Sequence, residues 1–145
     1  EAISSHTFAR LISASFDRLV TVDPHLHRYP ALSSLYSIPS DTLHAAPLLA
    51  DWIAAHVSAP LIIGPDEESE QWVSAIAARV RAPYAVLRKI RHGDRRVDIT
   101  LPDLSQWRTR QIVLVDDIAS SGRTLIEAAQ QLGQQGFGQP ICAVV

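Results

Sequence analysis

Residues 112–124 read IVLVDDIASSGRT. Ile112, Val113, Leu114 and Val115 form an unbroken apolar run, the pattern of a strand covered on both faces in a parallel sheet. The run ends in two adjacent carboxylates, Asp116 and Asp117. Small residues follow, Ala119, Ser120, Ser121 and Gly122, and the spacing predicts a helix that opens at Arg123 and Thr124 and runs to about Leu132. In open parallel sheets, ligands bind outside the carboxyl ends of the strands. A helix N-terminus with free N–H groups and nearby hydroxyls is a phosphate cradle. Carboxylates beside such a cradle suit hydroxyls or a metal, because they repel the phosphate itself. Together the parts describe a sugar phosphate, with the phosphate on the loop and the ribose diol on the aspartates.

Working outward, short apolar runs alternate with longer helical patterns, which reads as βαβ units and an α/β fold. The mainly parallel sheet, flanked by helices, should hold about five strands. Helices are expected over 5–16, from about Ser40 to Val57 with Pro47 kinking or restarting it, and over 67–81. Strands are expected over 19–23, 61–64, 84–89, 96–100, 111–116 and 141–145. Residues 25–39 read as an irregular loop and 91–95 as a polar one. His25 and Asp66 each follow a predicted strand at its carboxyl edge, so both converge on the rim that carries Asp116. His27, His44, His56 and His92 have no such placement and read as surface or structural.

Composition sets limits. A chain of 145 residues is one domain of ordinary size. Apolar residues are 47% and charged residues 19%, which excludes a disordered chain. No apolar run approaches the ~18 residues that span a bilayer, so no membrane partner is expected. A net charge of −2 gives no global field for nucleic acid. Cys142 is the only cysteine, which excludes a disulfide framework and fits a reducing, cytoplasmic setting. Methionine is absent and Glu1 opens the chain, so a single domain truncated at both ends is expected. The 13 basic residues include one lysine, Lys89. It lies among Arg88, Arg91, Arg95 and Arg96, and a lone Lys among arginines points to a chemical role.

The segment 112–124 is similar to the PRPP-binding loop of type I phosphoribosyltransferases. There an acidic pair holds the ribose 2′ and 3′ hydroxyls and the loop wraps the 5′-phosphate. TVDPHLHR (21–28), IIGPDEESEQWV (62–73) and VLRKIR (86–91) resemble, in order and spacing, the ribose-phosphate diphosphokinases, or PRPP synthases. The resemblance spans nearly the whole chain and corresponds to the middle and C-terminal half of that family. Two departures stand out: Glu67-Glu68-Ser69 replaces a glycine-rich segment, and Asp23-Pro24-His25 replaces the commoner Asp-Leu-His.

The resemblance implies a type I phosphoribosyltransferase fold and diphosphate transfer from Mg-ATP to the C1 hydroxyl of ribose 5-phosphate. Asp116, Asp117, Ala119, Ser120, Ser121, Gly122, Arg123 and Thr124 would bind the sugar phosphate. His25 and Asp66 would organise Mg²⁺. Lys89 and Arg91 match a loop pair that neutralises charge on the transferring phosphates, since phosphoryl transfer is catalysed chiefly by positioning and charge. Homo-oligomeric assembly is also implied. The alternatives are a transferase that consumes PRPP with a nucleobase, and a non-catalytic regulatory subunit.

Overall fold

The computed structural model describes residues 2–26, 29–92, 96–100 and 102–145. The chain gathers into two compact units, Glu1–Ala45 and Ala46–Val145.

The first unit holds helix α1 (Ala2–Ser15) and strands β1 (Leu19–Val22) and β2 (Ser40–Leu43). β1 and β2 run parallel, with Leu19 opposite Ser40 and Val22 opposite Leu43. The sequence predicts helix from Ser40, yet residues 40–43 are strand. Ser40, Asp41 and Thr42 look like helix-capping residues, but pairing with β1, 21 residues away in sequence, overrides local preference. Asp23 secures the exit of the pair. Its backbone takes a left-handed φ of 41°, a conformation Asp tolerates better than most residues. Its carboxylate accepts the Ala45 N–H at 2.8 Å and the His44 Nδ1–H at 2.8 Å.

The second unit begins with α2 (Ala46–His56). Pro47 therefore lies in the first turn, where its missing N–H breaks no helical bond. This is why the helix starts late and runs without a kink. Strands β3 (Pro60–Gly64), β4 (Tyr84–Val86), β7 (Gln111–Asp116) and β8 (Ile141–Val144) form one parallel sheet in the order β4-β3-β7-β8. The sheet has four strands where about five are expected. Between β3 and β4 lie a single 3₁₀ turn (Glu67–Ser69) and α3 (Glu70–Val80). A left-handed Arg81 ends α3 and lets the Ala82 N–H reach the Ala77 carbonyl at 3.0 Å.

Strand alternation splits the core into two layers. Leu61, Ile63, Ile112 and Leu114 pack with Leu104, Phe137 and with Leu125, Ala128 and Leu132 of α4 (Arg123–Gln134). Ile62, Val113 and Val115 pack with Ala50 and Ile53 of α2 and Val73, Ile76 and Ala77 of α3. Burying each large side chain of this kind contributes roughly 1.5–3 kcal/mol.

The predicted strand 84–89 is two strands. Leu87, fully buried, separates β4 from β5 (Arg88–His92), which pairs antiparallel with β6 (Arg96–Thr100). Arg91 and His92 thus belong to a strand and not to the expected polar loop. Arg95 and His27 lie outside the described residues. Among the described residues no helix is long and apolar enough to cross a membrane.

Candidate functional site

All four strands of the main sheet point the same way, so their carboxyl ends share one edge. The register sets Ile63 of β3 beside Leu114 of β7, and Gly64 beside Val86 of β4. The residues just beyond these pairs line the edge: Asp66 after β3, Asp116 at the end of β7, and the start of β5 after β4. Alternation along β7 puts Asp116 on the same face as Ile112 and Leu114, the face covered by α4.

Asp116 is half-buried and accepts the Asp117 N–H at 3.1 Å through Oδ1. Burial pushes its carboxyl up to about 6. The Asp117 N–H opposes that rise, while the negative charges of Asp117 and Asp66 add to it. Asp66 and Asp116 therefore feel each other across the β3–β7 edge, as expected from the sequence.

Beyond Asp117 the chain turns into α4. Ala119, Ser120 and Ser121 are exposed, and Asp117, Gly122 and Thr124 are half-buried. Gly122 is the N-cap of α4 with φ of 70°, a left-handed conformation that costs glycine nothing. Gly122 itself has no side chain to cap α4. The Ser121 hydroxyl accepts the Arg123 N–H at 3.4 Å, and the first regular helical bond joins the Ile126 N–H to the Gly122 carbonyl at 2.9 Å. The amides of the first turn thus face outward at the positive end of the helix, the geometry that receives an anion. Arg123 points its guanidinium along α4 to Glu127 at 3.2 Å.

The turn after β3 is held by its own residues. Ser69 is 6% exposed. Its N–H, at 3.2 Å, and its hydroxyl both donate to the Asp66 carbonyl. Gly64 lacks the side chain that would strike Ser69 and Val73. The Glu-Glu-Ser sequence that replaces a glycine-rich segment is thus an ordered turn. Sequence reasoning missed Ser69 and Gly64. The signal was the pairing of a glycine at a strand end with a serine five residues on.

Lys89 and Arg91 occupy alternate positions of β5, opposite Ile99 and Val97 of β6. The hairpin they belong to leaves the sheet at the same edge: the Leu87 N–H donates to the Gly64 carbonyl at 2.9 Å. His25 belongs to the first unit, three residues past β1 in an exposed position. His44 and His56 are structural, as expected: His56 Nδ1 contacts the Trp52 carbonyl at 2.8 Å.

Among the described residues no group of three or more His, Cys, Asp or Glu side chains forms a metal cage. Mg²⁺ does not require one, since it is usually held by one or two carboxylates with substrate phosphates and waters. Asp66 and Asp116 influence each other electrostatically, and carboxylate oxygens are the donor type that a hard divalent cation takes.

Comparisons with known proteins show what the chain is similar to. The chain is 33% identical over 140 residues to a ribose-phosphate pyrophosphokinase of Methanopyrus kandleri, covering 95% of this chain and 47% of that protein. It is 33% identical over 139 residues to the enzyme of the same name from Bradyrhizobium diazoefficiens, covering 92% of this chain and 42% of that protein. The chain spans about half the length of these relatives. Its fold is similar to the phosphoribosylpyrophosphate synthetase of Mycobacterium smegmatis, with a TM-score of 0.78 at 25% identity, over 100% of this chain and 46% of that one. A purine phosphoribosyltransferase of Pyrococcus horikoshii shares the fold at a TM-score of 0.59 and 19% identity, over 70% of this chain and 69% of that one. The phosphoribosyl transferase domain family matches residues 33–145, which hold the acidic pair, the small-residue loop and the whole parallel sheet, and the chain belongs to that family.

Proposed function

We propose that the protein of which this chain forms part is an enzyme that transfers diphosphate from Mg-ATP to the C1 hydroxyl of ribose 5-phosphate, giving PRPP and AMP. The observation that carries the reading is the shared sheet edge. It brings the sugar-phosphate loop, a second carboxylate at Asp66 and the root of the Lys89–Arg91 hairpin to one side of one sheet. A basic hairpin rooted beside the loop suits the charge on the phosphates of ATP. The names of the relatives point the same way.

In this reading the outward amides of residues 120–124 bind the 5′-phosphate, and Ala119 keeps the loop slim enough for the ligand to approach. Asp116 and Asp117 accept hydrogen bonds from the ribose 2′ and 3′ hydroxyls, which fixes the ring. The likeness to the diphosphokinases would give Asp66 a part in holding Mg²⁺ and, separately, would give His25 one through a water, since Mg²⁺ prefers oxygen. When bound, the metal neutralises phosphate charge. The C1 oxygen attacks the β-phosphorus in line. A new O–P bond forms, the bond from the β-phosphorus to the oxygen bridging it to the α-phosphorus breaks, AMP leaves and the hydroxyl proton is released. Lys89 and Arg91 stabilise the charge spread over the transferring group.

The setting is the cytoplasm, and the working form is a homo-oligomer. Incubating the full-length protein with Mg-ATP and ribose 5-phosphate should release AMP and PRPP in equal amounts. Consumption of PRPP with a nucleobase and no AMP would make it a transferase of the other kind. Binding without turnover would make it a regulatory subunit.

A further inference from the structure

We infer that Ser69 is a positioning residue that aims Asp66 at the acidic edge. The inference rests on the proposal that Asp66 organises the metal, and goes beyond it by naming what holds Asp66 in place. Serine is a favoured N-cap residue, and Ser69 stands at the N-cap of α3. Its hydroxyl nevertheless makes no cap bond to the helix. It turns back and donates to the carbonyl of Asp66, beside the Ser69 N–H on the same oxygen. One carbonyl thus takes two donors, and the Asp66 peptide is fixed with the residue in an extended conformation, φ −160° and ψ 175°.

The buried setting makes the contact selective. Ser69 is 6% exposed, so its hydroxyl is shielded from bulk water. The hydroxyl occupies the space where a Gly64 side chain would stand: a Cβ there would strike Ser69 Oγ and approach Val73 Cγ2 to 2.9 Å. Gly64, the last residue of β3, and Ser69 are therefore a matched pair. The glycine clears the space, and the serine uses it to brace the turn. A partner that orients a ligand without touching the metal commonly controls affinity by about 10-fold or more.

The test uses the full-length protein with Mn²⁺ as the probe, its affinity measured by electron paramagnetic resonance in the presence of ribose 5-phosphate. Ser69→Ala should weaken Mn²⁺ binding about 10-fold, and Gly64→Ala, which keeps the hydroxyl but displaces it, should do the same. In an Asp66→Asn background, Ser69→Ala should have no further effect, because its route to the metal is already cut. Undiminished Mn²⁺ affinity in Ser69→Ala, where Asp66→Asn loses it, overturns the inference. So does an equal loss in both backgrounds, since Ser69 would then act elsewhere. If Asp66→Asn itself binds Mn²⁺ normally, the metal role of Asp66 fails, and the crystal structure of Ser69→Ala decides the positioning role. A shifted Asp66 carboxylate upholds it, and an unmoved one ends it.

Discussion

Arg88 Nε stands 3.5 Å from Glu67 Oε1. The pair joins the first residue of β5 to the turn that carries Asp66. Both side chains are well exposed, at 76% and 69%, so the contact contributes little stability, about 0–1 kcal/mol. Its effect is spatial. The strand holding Lys89 and Arg91 starts beside the turn holding Asp66, and Glu67 in that turn supplies the link.

Lys89 provides the first prediction. An ammonium is a compact point charge and a guanidinium a wide planar fork. Lys89→Arg should keep the charge and misplace it, and misplacement of about 1 Å can cost on the order of 10²-fold in rate. Ribose 5-phosphate affinity should survive, because the loop at 120–124 is untouched. Measurements of kcat, sugar-phosphate affinity and Tm on full-length Lys89→Arg and Lys89→Ala check this. Normal turnover in either variant removes Lys89 from the mechanism, and a steep fall in Tm makes it structural.

Phosphate placement is the second. Gly122 offers no side chain to cap α4 and only the Arg123 N–H meets a hydroxyl, that of Ser121, at 3.4 Å, so sulfate, phosphate or ribose 5-phosphate soaked into crystals should sit against the N–H groups of Ser120–Thr124. Density at another site, with this loop empty, refutes the assignment.

The division of labour between loop and aspartates is the third. Asp117→Asn keeps size and removes charge. Ribose 5-phosphate should bind more weakly by about 1.5–3 kcal/mol, the range for hydrogen bonds to charged groups. Inorganic phosphate should bind as well as before or slightly better, since a repelling charge is gone. Titration calorimetry on both ligands decides, and equal weakening of the two would count against the assignment.

Asp116 yields a pH dependence. Its carboxyl rises from an ordinary value of 3.8 to about 6 in the folded chain. The folded form therefore holds the proton where the unfolded form has lost it. Stability from this group is fully present below about 3.8 and is lost as pH rises through about 6. Asp116→Asn, which stays neutral, should thus gain in Tm relative to the parent between pH 4 and pH 7.5. Asp66→Asn removes one of the two repelling charges and should lower the Asp116 value in a carbon-13 NMR titration. A parent–variant Tm difference that is flat with pH, or an Asp116 titration unmoved by Asp66→Asn, contradicts the electrostatic account.

The sequence was most readable where burial alone decides structure. β7 occupies residues 111–116 as predicted, because a run of four apolar residues between polar ends has few other uses. β6 also matches its predicted span of 96–100. Legibility fell where a distant partner or a single side chain decides. Ser40–Leu43 became a strand because β1 offered an open edge. The run 84–89 divided because Leu87 belongs to the core while Arg88 begins a separate hairpin. At the candidate site, the meeting of Asp66 with Asp116 followed from parallel strands alone. The brace from Ser69 was marked only by Gly64 five residues earlier, because a serine before a helix looks like a cap whether its hydroxyl turns forward or back.

Leu87 carries one further consequence. It is buried in the core, and its N–H is tied to Gly64, so it acts as a fixed fulcrum between the sheet and the β5–β6 hairpin. Lys89 is only two residues out along that lever and Arg91 four. Any swing of the hairpin therefore moves Arg91 through a wider arc than Lys89, while Asp66 and Asp116, on the anchored side, keep their spacing.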